Sequence, residues 1–206
     1  MNKKIIKAMY SYAVSKEGVR PIMQGVFFDK DCCVATDTRV LVIYNETKTE
    51  LVGNTYLSTG EVIKGEFPDY NRVIPKTEGK PVSVDWKCVY NALKWYKKQP
   101  NFNPNDKVCI GGCHLAMTQL LNLLEIYKSA DELFFIKATT FGPLKPMMLE
   151  TEQLKSIIMP CTPKEDRIDI DREDFQSIVM SYENFILTFV IESNKPKEVV
   201  KEMSWL

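Results

Sequence analysis

The side chains that could perform catalysis are few in this 206-residue sequence, and they do not form a recognisable set. His114 is the only histidine, and it directly follows Cys113. A lone histidine has no second histidine with which to complete a zinc site or a proton-transfer pair. Adjacent side chains on a helix point about 100° apart, so Cys113 and His114 do not face each other as a nucleophile and its base. We expect a capping or surface role for His114.

Two other segments contain residue types that bind phosphate or cations. Gly111-Gly112 lies where a strand is expected to pass into a helix, but it belongs to neither of the common glycine patterns that bind phosphate. We interpret it as a tight strand-to-helix turn. The acidic run 165–171 alternates like an exposed strand and lacks the glycine and terminal glutamate of a calcium loop. The sequence therefore predicts no metal site, no cofactor and no enzyme.

Charge is distributed unevenly along a chain whose 27 basic and 27 acidic residues balance. Residues 1–104 contain 16 basic and 11 acidic side chains, whereas residues 162–206 contain six basic and ten acidic ones. Overall neutrality argues against coating nucleic acid by bulk charge, but local basic surfaces remain possible. The candidate lysines lie on the outer faces of two predicted helices and are Lys3, Lys7, Lys87, Lys94 and Lys98.

The sequence contains no segment typical of export or membrane insertion. No stretch approaches the roughly 18 apolar residues of a membrane span, and the first residues lack an apolar signal core. The six cysteines show no paired spacing that would indicate a disulfide framework. These features predict a cytoplasmic protein with no membrane partner.

Amphipathic helices and short strands would position these side chains. Apolar residues at helical spacing predict helices over 3–14, 85–98 with Asp85 as the N-cap, and 113–128. Strands are predicted at 25–29, 32–36, 39–45, within 50–66, and at 107–111, 132–138, 146–150, 155–160 and 184–192. A helix followed by three strands occurs near 3–45 and again near 113–160. This recurrence indicates an internal structural repeat.

Three blocks of the sequence resemble the bacterial DNA polymerase III β subunit, the sliding clamp. They are RPIMQGVFF (20–28) with VATD (34–37), GEFPDYNRVIP (65–75), and GPLKP (142–146) through IIMP (157–160). The middle block is similar to the link between the family's second and third domains. The resemblance implies an α+β, DNA-clamp-like (processivity) fold: helix plus β-meander repeats with the helices on one face of antiparallel sheets. It divides the chain into units 1–75 and 76–161 and an extension, 162–206.

The resemblance also implies a non-catalytic DNA replication factor that forms a homo-oligomer. The five lysines would bind duplex DNA without sequence specificity, through its phosphates. DNA polymerase or another client protein would dock a short apolar motif into a hydrophobic groove, where methionine adapts to several partners. The groove residues that the resemblance assigns are Thr36, Thr38, Arg39, Val40, Pro68, Arg72, Val73, Ile157, Ile158, Met159 and Pro160.

Simpler interpretations stay open for both sets of residues. The lysines also fit ordinary solvated helix faces, and the groove residues also fit the core of the fold. The chain has Thr38-Arg39 where the family has Gly-His-Arg. An alternative function is a monomeric clamp-fold adaptor that binds client peptides without encircling DNA. In that case the acidic extension would repel DNA or cover the groove in cis.

Overall fold

A computed structural model describes residues 1–18, 20–100 and 102–161. The predicted strand at 184–192 and the extension 162–206 lie outside the described residues. The described helices are α1 (Lys3–Tyr12), α2 (Trp86–Tyr96) and α3 (Met117–Ser129). The strands are β1 (Val26–Phe28), β2 (Cys33–Thr36), β3 (Val40–Tyr44), β4 (Thr55–Tyr56), β5 (Val62–Ile63), β6 (Lys80–Val82), β7 (Lys107–Ile110), β8 (Cys113–Ala116), β9 (Lys137–Thr140), β10 (Met147–Glu150) and β11 (Leu154–Ile158).

Nine strands form one antiparallel sheet in the order β5-β4-β1-β2-β3-β11-β10-β9-β6. Its centre is the pair between β3 and β11, in which Val42 lies opposite Ser156. This pair joins strands that are more than a hundred residues apart in sequence. The arrangement of one helix and three strands therefore occurs twice, as α1 with β1–β3 and as α3 with β9–β11, and both copies share one sheet. The boundary between units at residues 75 and 76 stays a prediction.

The three helices lie on one face of the sheet, with α3 in contact with both α1 and α2. α3 packs against a helix on each side and against the sheet. Its own buried apolar side chains, which include Leu121 and Ile126, therefore cover most of its circumference. α1 buries a narrower stripe that contains Ile5 and Met9. Tyr127 of α3 donates its hydroxyl to the carbonyl of Leu149 at 2.7 Å, which ties the helix to the sheet. The helix layer and the sheet thus share one core.

Residues 65–75, which we call the linker, cover part of the opposite face of the sheet. Phe67 packs there with Leu41 and Ile157, and its ring stacks on Phe27 with the centroids 5.0 Å apart. The prolines of the linker prevent regular strand pairing, so side chains hold the segment in place. The outcome is an α+β fold with helices on one face of an antiparallel sheet, as predicted.

The predicted helix over 113–128 is wrong in its first turn. Residues 113–116 form β8, which pairs with β7 as a separate two-stranded hairpin. Gly111 and Gly112 form its turn with φ angles of +58° and +82°, a conformation that glycine adopts without steric cost. His114 therefore lies on a strand, and Gly111-Gly112 is a hairpin turn and not a strand-to-helix turn. The helix begins only at Met117.

The predicted strand over 132–138 is also placed too early. Leu133–Phe135 forms a short 3-10 helix, and β9 begins at Lys137. Only Leu133 of these three residues is buried, so the apolar run does not follow the alternation of a strand. The helices over 3–14 and 85–98 are confirmed within two or three residues at each end, and Asp85 caps α2 as predicted. In the part of the chain described here, no helix has the length and apolar character of a membrane span.

Candidate functional site

The turn between β2 and β3 is held by side chains that bond its own backbone. Asp37 Oδ1 accepts hydrogen bonds from the amides of Arg39 and Val40, at 2.9 and 2.7 Å. Thr36 Oγ1 accepts from the amide of Thr38 at 3.1 Å and donates to the carbonyl of Val40 at 2.7 Å. Thr38 adopts a φ of +79°, which is uncommon for a β-branched residue. The turn therefore presents Thr38 and Arg39 in a fixed and strained position.

Hydrogen bonds of Asp69 and Tyr70 hold the linker in place. Asp69 Oδ1 accepts from the amide of Asn71 at 3.2 Å, which starts the 3-10 helix Tyr70–Arg72. The Tyr70 hydroxyl donates to Asp29 Oδ2 at 2.7 Å, and burial is the main reason that the pKa of Tyr70 is raised. This bond fastens the linker to the β1–β2 turn. Val73 follows with 46 % of its surface exposed.

The end of β11 completes the site. The amide of Met159 donates to the carbonyl of Arg39 at 2.8 Å, so the chain after β11 stays beside the β2–β3 turn. Neighbouring strand residues point to opposite faces of a sheet. Ile157 accordingly joins the cluster under the linker, whereas Ile158 is buried in the core beneath the helices.

These three segments and residues 20–23 enclose a cavity of about 220 Å³ on the linker face, which we call the groove. Its lining consists of Arg20, Met23, Thr36, Thr38, Arg39, Val40, Leu41, Phe67, Pro68, Asp69, Tyr70, Val73, Ile157 and Met159. Most of this lining is apolar, and no two of the contributing segments are adjacent in sequence. The groove can therefore bind an apolar side chain, with polar contacts available at its edge.

Most of the residues that the sequence resemblance assigned to a groove are brought together here. The predicted residues in the lining are Thr36, Thr38, Arg39, Val40, Pro68, Val73, Ile157 and Met159. Arg72, Ile158 and Pro160 are not among the lining residues: Ile158 faces the helices, and Arg72 is ion-paired to Asp69 with Nε 3.1 Å from Oδ2. The prediction for Ile158 is corrected, because it packs under the helices, and a role for Arg72 and Pro160 stays a prediction. Peptide binding by the remaining residues stays a prediction.

Several lining residues were missed by sequence reasoning, although most of them lie within the blocks that carried the resemblance. They are Arg20, Met23, Leu41, Phe67, Asp69 and Tyr70, of which Leu41 alone lies outside those blocks. Phe67, an aromatic residue directly before Pro68, was the available indication that this segment contacts the sheet. Arg20 and Arg39 are exposed and give the edge of the groove a positive charge. This edge favours a ligand with a carboxylate beside its apolar anchor.

The opposite face of the molecule is formed by the helices and is rich in lysine. Within the three helices only Glu125 is acidic. The lysines of these helices are Lys3, Lys4, Lys7, Lys87, Lys94 and Lys128. All of them are at least partly exposed, and Lys98, also exposed, follows α2. We call this surface the helix face.

The predicted DNA-binding lysines do not all have the same surroundings. Lys94 Nζ lies 3.8 Å from Glu125 Oε1 and 5.2 Å from the centroid of the Tyr90 ring. A hydrogen bond with Tyr90 is the main reason that the pKa of Lys94 is raised. Lys87 Nζ lies 4.7 Å from the centroid of the Phe134 ring. Lys3, Lys7 and Lys98 are exposed, and Lys4 and Lys128 were not predicted.

Comparison with solved structures places this architecture among sliding clamps. The β subunit of DNA polymerase from Streptococcus pyogenes is 15 % identical, with a TM-score of 0.61 over 78 % of this chain and 63 % of that one. The β subunit from Pseudomonas aeruginosa is 15 % identical, with a TM-score of 0.58 over 78 % and 65 %. The clamp from Bartonella birtlesii, solved bound to griselimycin, is 14 % identical, with a TM-score of 0.59 over 78 % and 64 %.

The chain therefore has the sliding-clamp fold, in a divergent form. No protein-family model and no curated protein sequence matches it. It spans less than two thirds of the length of each of the three clamps named above. The structural similarity establishes the fold, and because the identities are low, the binding of DNA and of client proteins stays a proposal.

Proposed function

We propose that the chain is a non-catalytic, sliding-clamp-like processivity factor of DNA replication. It contacts duplex DNA through the helix face and docks replication proteins in the groove. The observation that carries this proposal is that a lysine-rich helix layer and an apolar cavity lie on opposite faces of one sheet. Because the ligands are DNA and replication proteins, the proposal places the chain in the cytoplasm.

The helix face is suited to phosphate and not to base recognition. Six helical lysines against one glutamate give a net positive layer, and lysine binds phosphate as a mobile point charge. Contacts of this kind neutralise phosphates and release counterions, and they carry no sequence information. The expected binding is weak for each contact, independent of sequence and strongly dependent on salt.

The groove is suited to a short apolar segment of a client protein. Val73 and Met159 are exposed at the cavity, whereas Leu41 and Ile157 form its buried floor. Leucine and phenylalanine anchors match this lining, and methionine adapts to anchors of different shape. The arginines at the edge add selectivity for an acidic residue or a terminal carboxylate in the client.

Encircling DNA requires several copies of the chain. The edge strands of the nine-stranded sheet, β5 and β6, lie at its two ends, and each presents unpaired backbone groups. Pairing of β5 with β6 of another copy would extend the sheet from subunit to subunit. The proposal therefore includes a homo-oligomeric ring with the helix faces directed inward.

Fluorescence anisotropy with two unrelated 30-base-pair duplexes tests the DNA part of the proposal. We expect equal affinities for both duplexes and a linear fall of log K with log salt concentration. Changing Lys3, Lys7, Lys87 and Lys98 together to Glu should weaken binding by about 100-fold and flatten this slope. Lys30→Glu with Lys64→Glu, Lys76→Glu and Lys145→Glu, four exposed lysines outside the helix face, is the matched control. Equal losses in both variants would contradict a DNA-binding helix face.

A second candidate function is the monomeric adaptor, because a single copy already forms a groove of about 220 Å³. Peptide docking then needs no ring. Light scattering at tens of micromolar protein separates the two functions. An oligomer supports the ring, whereas a monomer that binds a Leu-Phe peptide (acetyl-Ser-Leu-Ser-Leu-Phe) but not DNA supports the adaptor.

A further inference from the structure

Phe134 and Phe135 form an exposed aromatic pair in the 3-10 helix between α3 and β9. The pair lies near the start of β11, whereas the groove lies at the end of that strand. Each has 68 % of its surface exposed, and both line an open depression of about 890 Å³. The β10–β11 turn borders the same depression, whereas the groove lies beyond the other end of β11. Two adjacent exposed phenylalanines beside a concave surface are typical of an interaction site and not of an ordinary solvated turn.

The surroundings of this aromatic pair are acidic. The depression is lined by Asp131, Glu132, Glu150 and Glu152, against a single cation, Lys137. The C-terminal end of α3 also lies there and adds the negative end of its helix dipole. Phosphate groups of nucleic acid or of lipid headgroups would be repelled by this surface, so a cationic ligand is favoured.

The carboxylates of the depression are not neutralised equally. Glu150 Oε1 lies 2.8 Å from Lys155 Nζ. Glu132 is 6 % exposed and accepts hydrogen bonds from Thr151 Oγ1 at 2.5 Å and from the amide of Gln153 at 3.3 Å. None of the ion pairs among the described residues involves Glu132, Asp131 or Glu152. The depression therefore keeps a negative charge that a ligand can neutralise.

One of the two rings already contacts a cation of the same chain. Lys87 Nζ of α2 lies 4.7 Å from the centroid of the Phe134 ring, within the distance of a cation–π interaction. Among the described aromatic and cation contacts, Phe135 has none. A guanidinium group can stack on a phenylalanine ring and bond a carboxylate at the same time, which an ammonium does less well.

We propose that the depression beside Phe134 and Phe135 is a second protein-docking site, which binds an arginine-containing segment of a partner protein. An arginine of the partner stacks on Phe135 and pairs with Asp131 or Glu152, and an apolar neighbour covers Phe134. This site is independent of the groove. It adjoins the helix face at one residue, because Lys87 contacts the Phe134 ring.

The test uses the full chain and a fluorescein-labelled peptide, acetyl-Gly-Arg-Leu-Arg-Gly-amide, followed by anisotropy. We expect saturable binding that weakens at least about ten-fold when both arginines are replaced by citrulline, which keeps the shape and removes the charge. Phe134→Ser with Phe135→Ser should weaken binding about ten-fold. Leu144→Ser is the matched control, since Leu144 is 69 % exposed and does not line the depression.

A second variant guards against loss of folding in the first. Asp131→Asn with Glu152→Gln keeps the size of both side chains, and it should weaken binding three- to ten-fold and reduce its dependence on salt. Equal binding of the arginine and citrulline peptides, or unchanged binding by the serine variant, would overturn the proposal. So would a dimer in light scattering that the serine variant converts to a monomer, because a second copy would then occupy the site.

Discussion

The helix face and the groove differ in how their side chains are organised for binding. The helix face spreads six lysines over three helices, and among the described residues Lys94 is the one of the six that forms an ion pair. The groove concentrates apolar side chains from four segments around a cavity of about 220 Å³, and hydrogen bonds fix the β2–β3 turn, the linker and the end of β11. A distributed surface tolerates single substitutions, whereas a concentrated one does not. The same sheet thus supports one adaptable and one specific surface.

The largest effect is expected from a charge placed in the groove. Met159→Asp buries a carboxylate against Val73 and Ile157 when a ligand binds, and it should weaken binding of the Leu-Phe peptide by about 100-fold. Affinity for duplex DNA should be unchanged, because Met159 is on the opposite face of the sheet from the helices. Anisotropy with each labelled ligand measures both values. A parallel loss of DNA affinity would show that the two surfaces are not separate.

The adjacent residues Cys32 and Cys33 lie on opposite sides of the sheet, and the pH dependence of stability tests the burial of Cys33. Cys33 is buried under the helices, and burial raises its pKa to about 12, whereas half-buried Cys32 lies on the linker side. The thiol ionises near pH 9 in the unfolded chain and remains protonated in the folded chain. Its contribution to stability is therefore present below pH 9 and is lost as the pH rises towards 12.

Urea unfolding at several pH values between 9 and 12 measures this loss, which we expect to be about 2 kcal/mol. Tyr10 and Tyr96 also have pKa values raised to about 12, mainly by burial, so they add to the alkaline loss. Cys33→Ala should therefore reduce the pH dependence without abolishing it. An identical pH dependence in Cys33→Ala and the unsubstituted chain would contradict a protonated, buried Cys33.

A smaller effect is expected from loosening the linker. Tyr70→Phe removes the hydroxyl that donates to Asp29 Oδ2 at 2.7 Å but keeps the ring that lines the groove. The free energy of unfolding should fall by about 1 kcal/mol, and peptide affinity should fall a few-fold because the linker is held less firmly. Urea unfolding and peptide titration give the two values. A loss of stability with unchanged peptide affinity would mean that the linker does not shape the groove.

The smallest effect is expected from one lysine of the helix face. Lys7→Gln removes a single charge and should weaken DNA binding only two- to three-fold, with a reduction of about one in the slope of log K against log salt. A fall of about 100-fold in DNA affinity from this one substitution would show that a single lysine dominates binding at the helix face. The contrast between the two surfaces would then be wrong.

Much of the fold could be predicted because its helices and central strands follow simple periodicities. The apolar stripe of α1, the Asp85 cap of α2 and the short apolar runs of β1 to β3 are local properties of the sequence. The start of α3 could not be predicted in this way, because Ala116, four residues before Leu120, continues the apolar pattern of the helix although it lies on β8. Residues 113–116 form a strand because Gly111 and Gly112 make a hairpin turn. Adjacent glycines occur both in hairpin turns and in strand-to-helix turns, so the sequence alone does not distinguish these structures.

The groove could be predicted only through the family resemblance. Its lining depends on contacts between residues as distant as Arg39 and Met159, which no local pattern reveals. Alternation along β11 separates Ile157 from Ile158, a distinction that a motif alone does not make. The ion pair between Lys94 and Glu125 likewise could not be predicted, because it joins residues of two different helices, α2 and α3.

The most direct test of two separate surfaces is the affinity of the Leu-Phe peptide measured with and without saturating duplex DNA at low salt. Separate surfaces predict that both ligands bind together and that DNA changes the peptide affinity by less than about two-fold. Displacement of DNA by the peptide, or a chain that binds no DNA under these conditions, would contradict the assignment of DNA to the helix face and of clients to the groove.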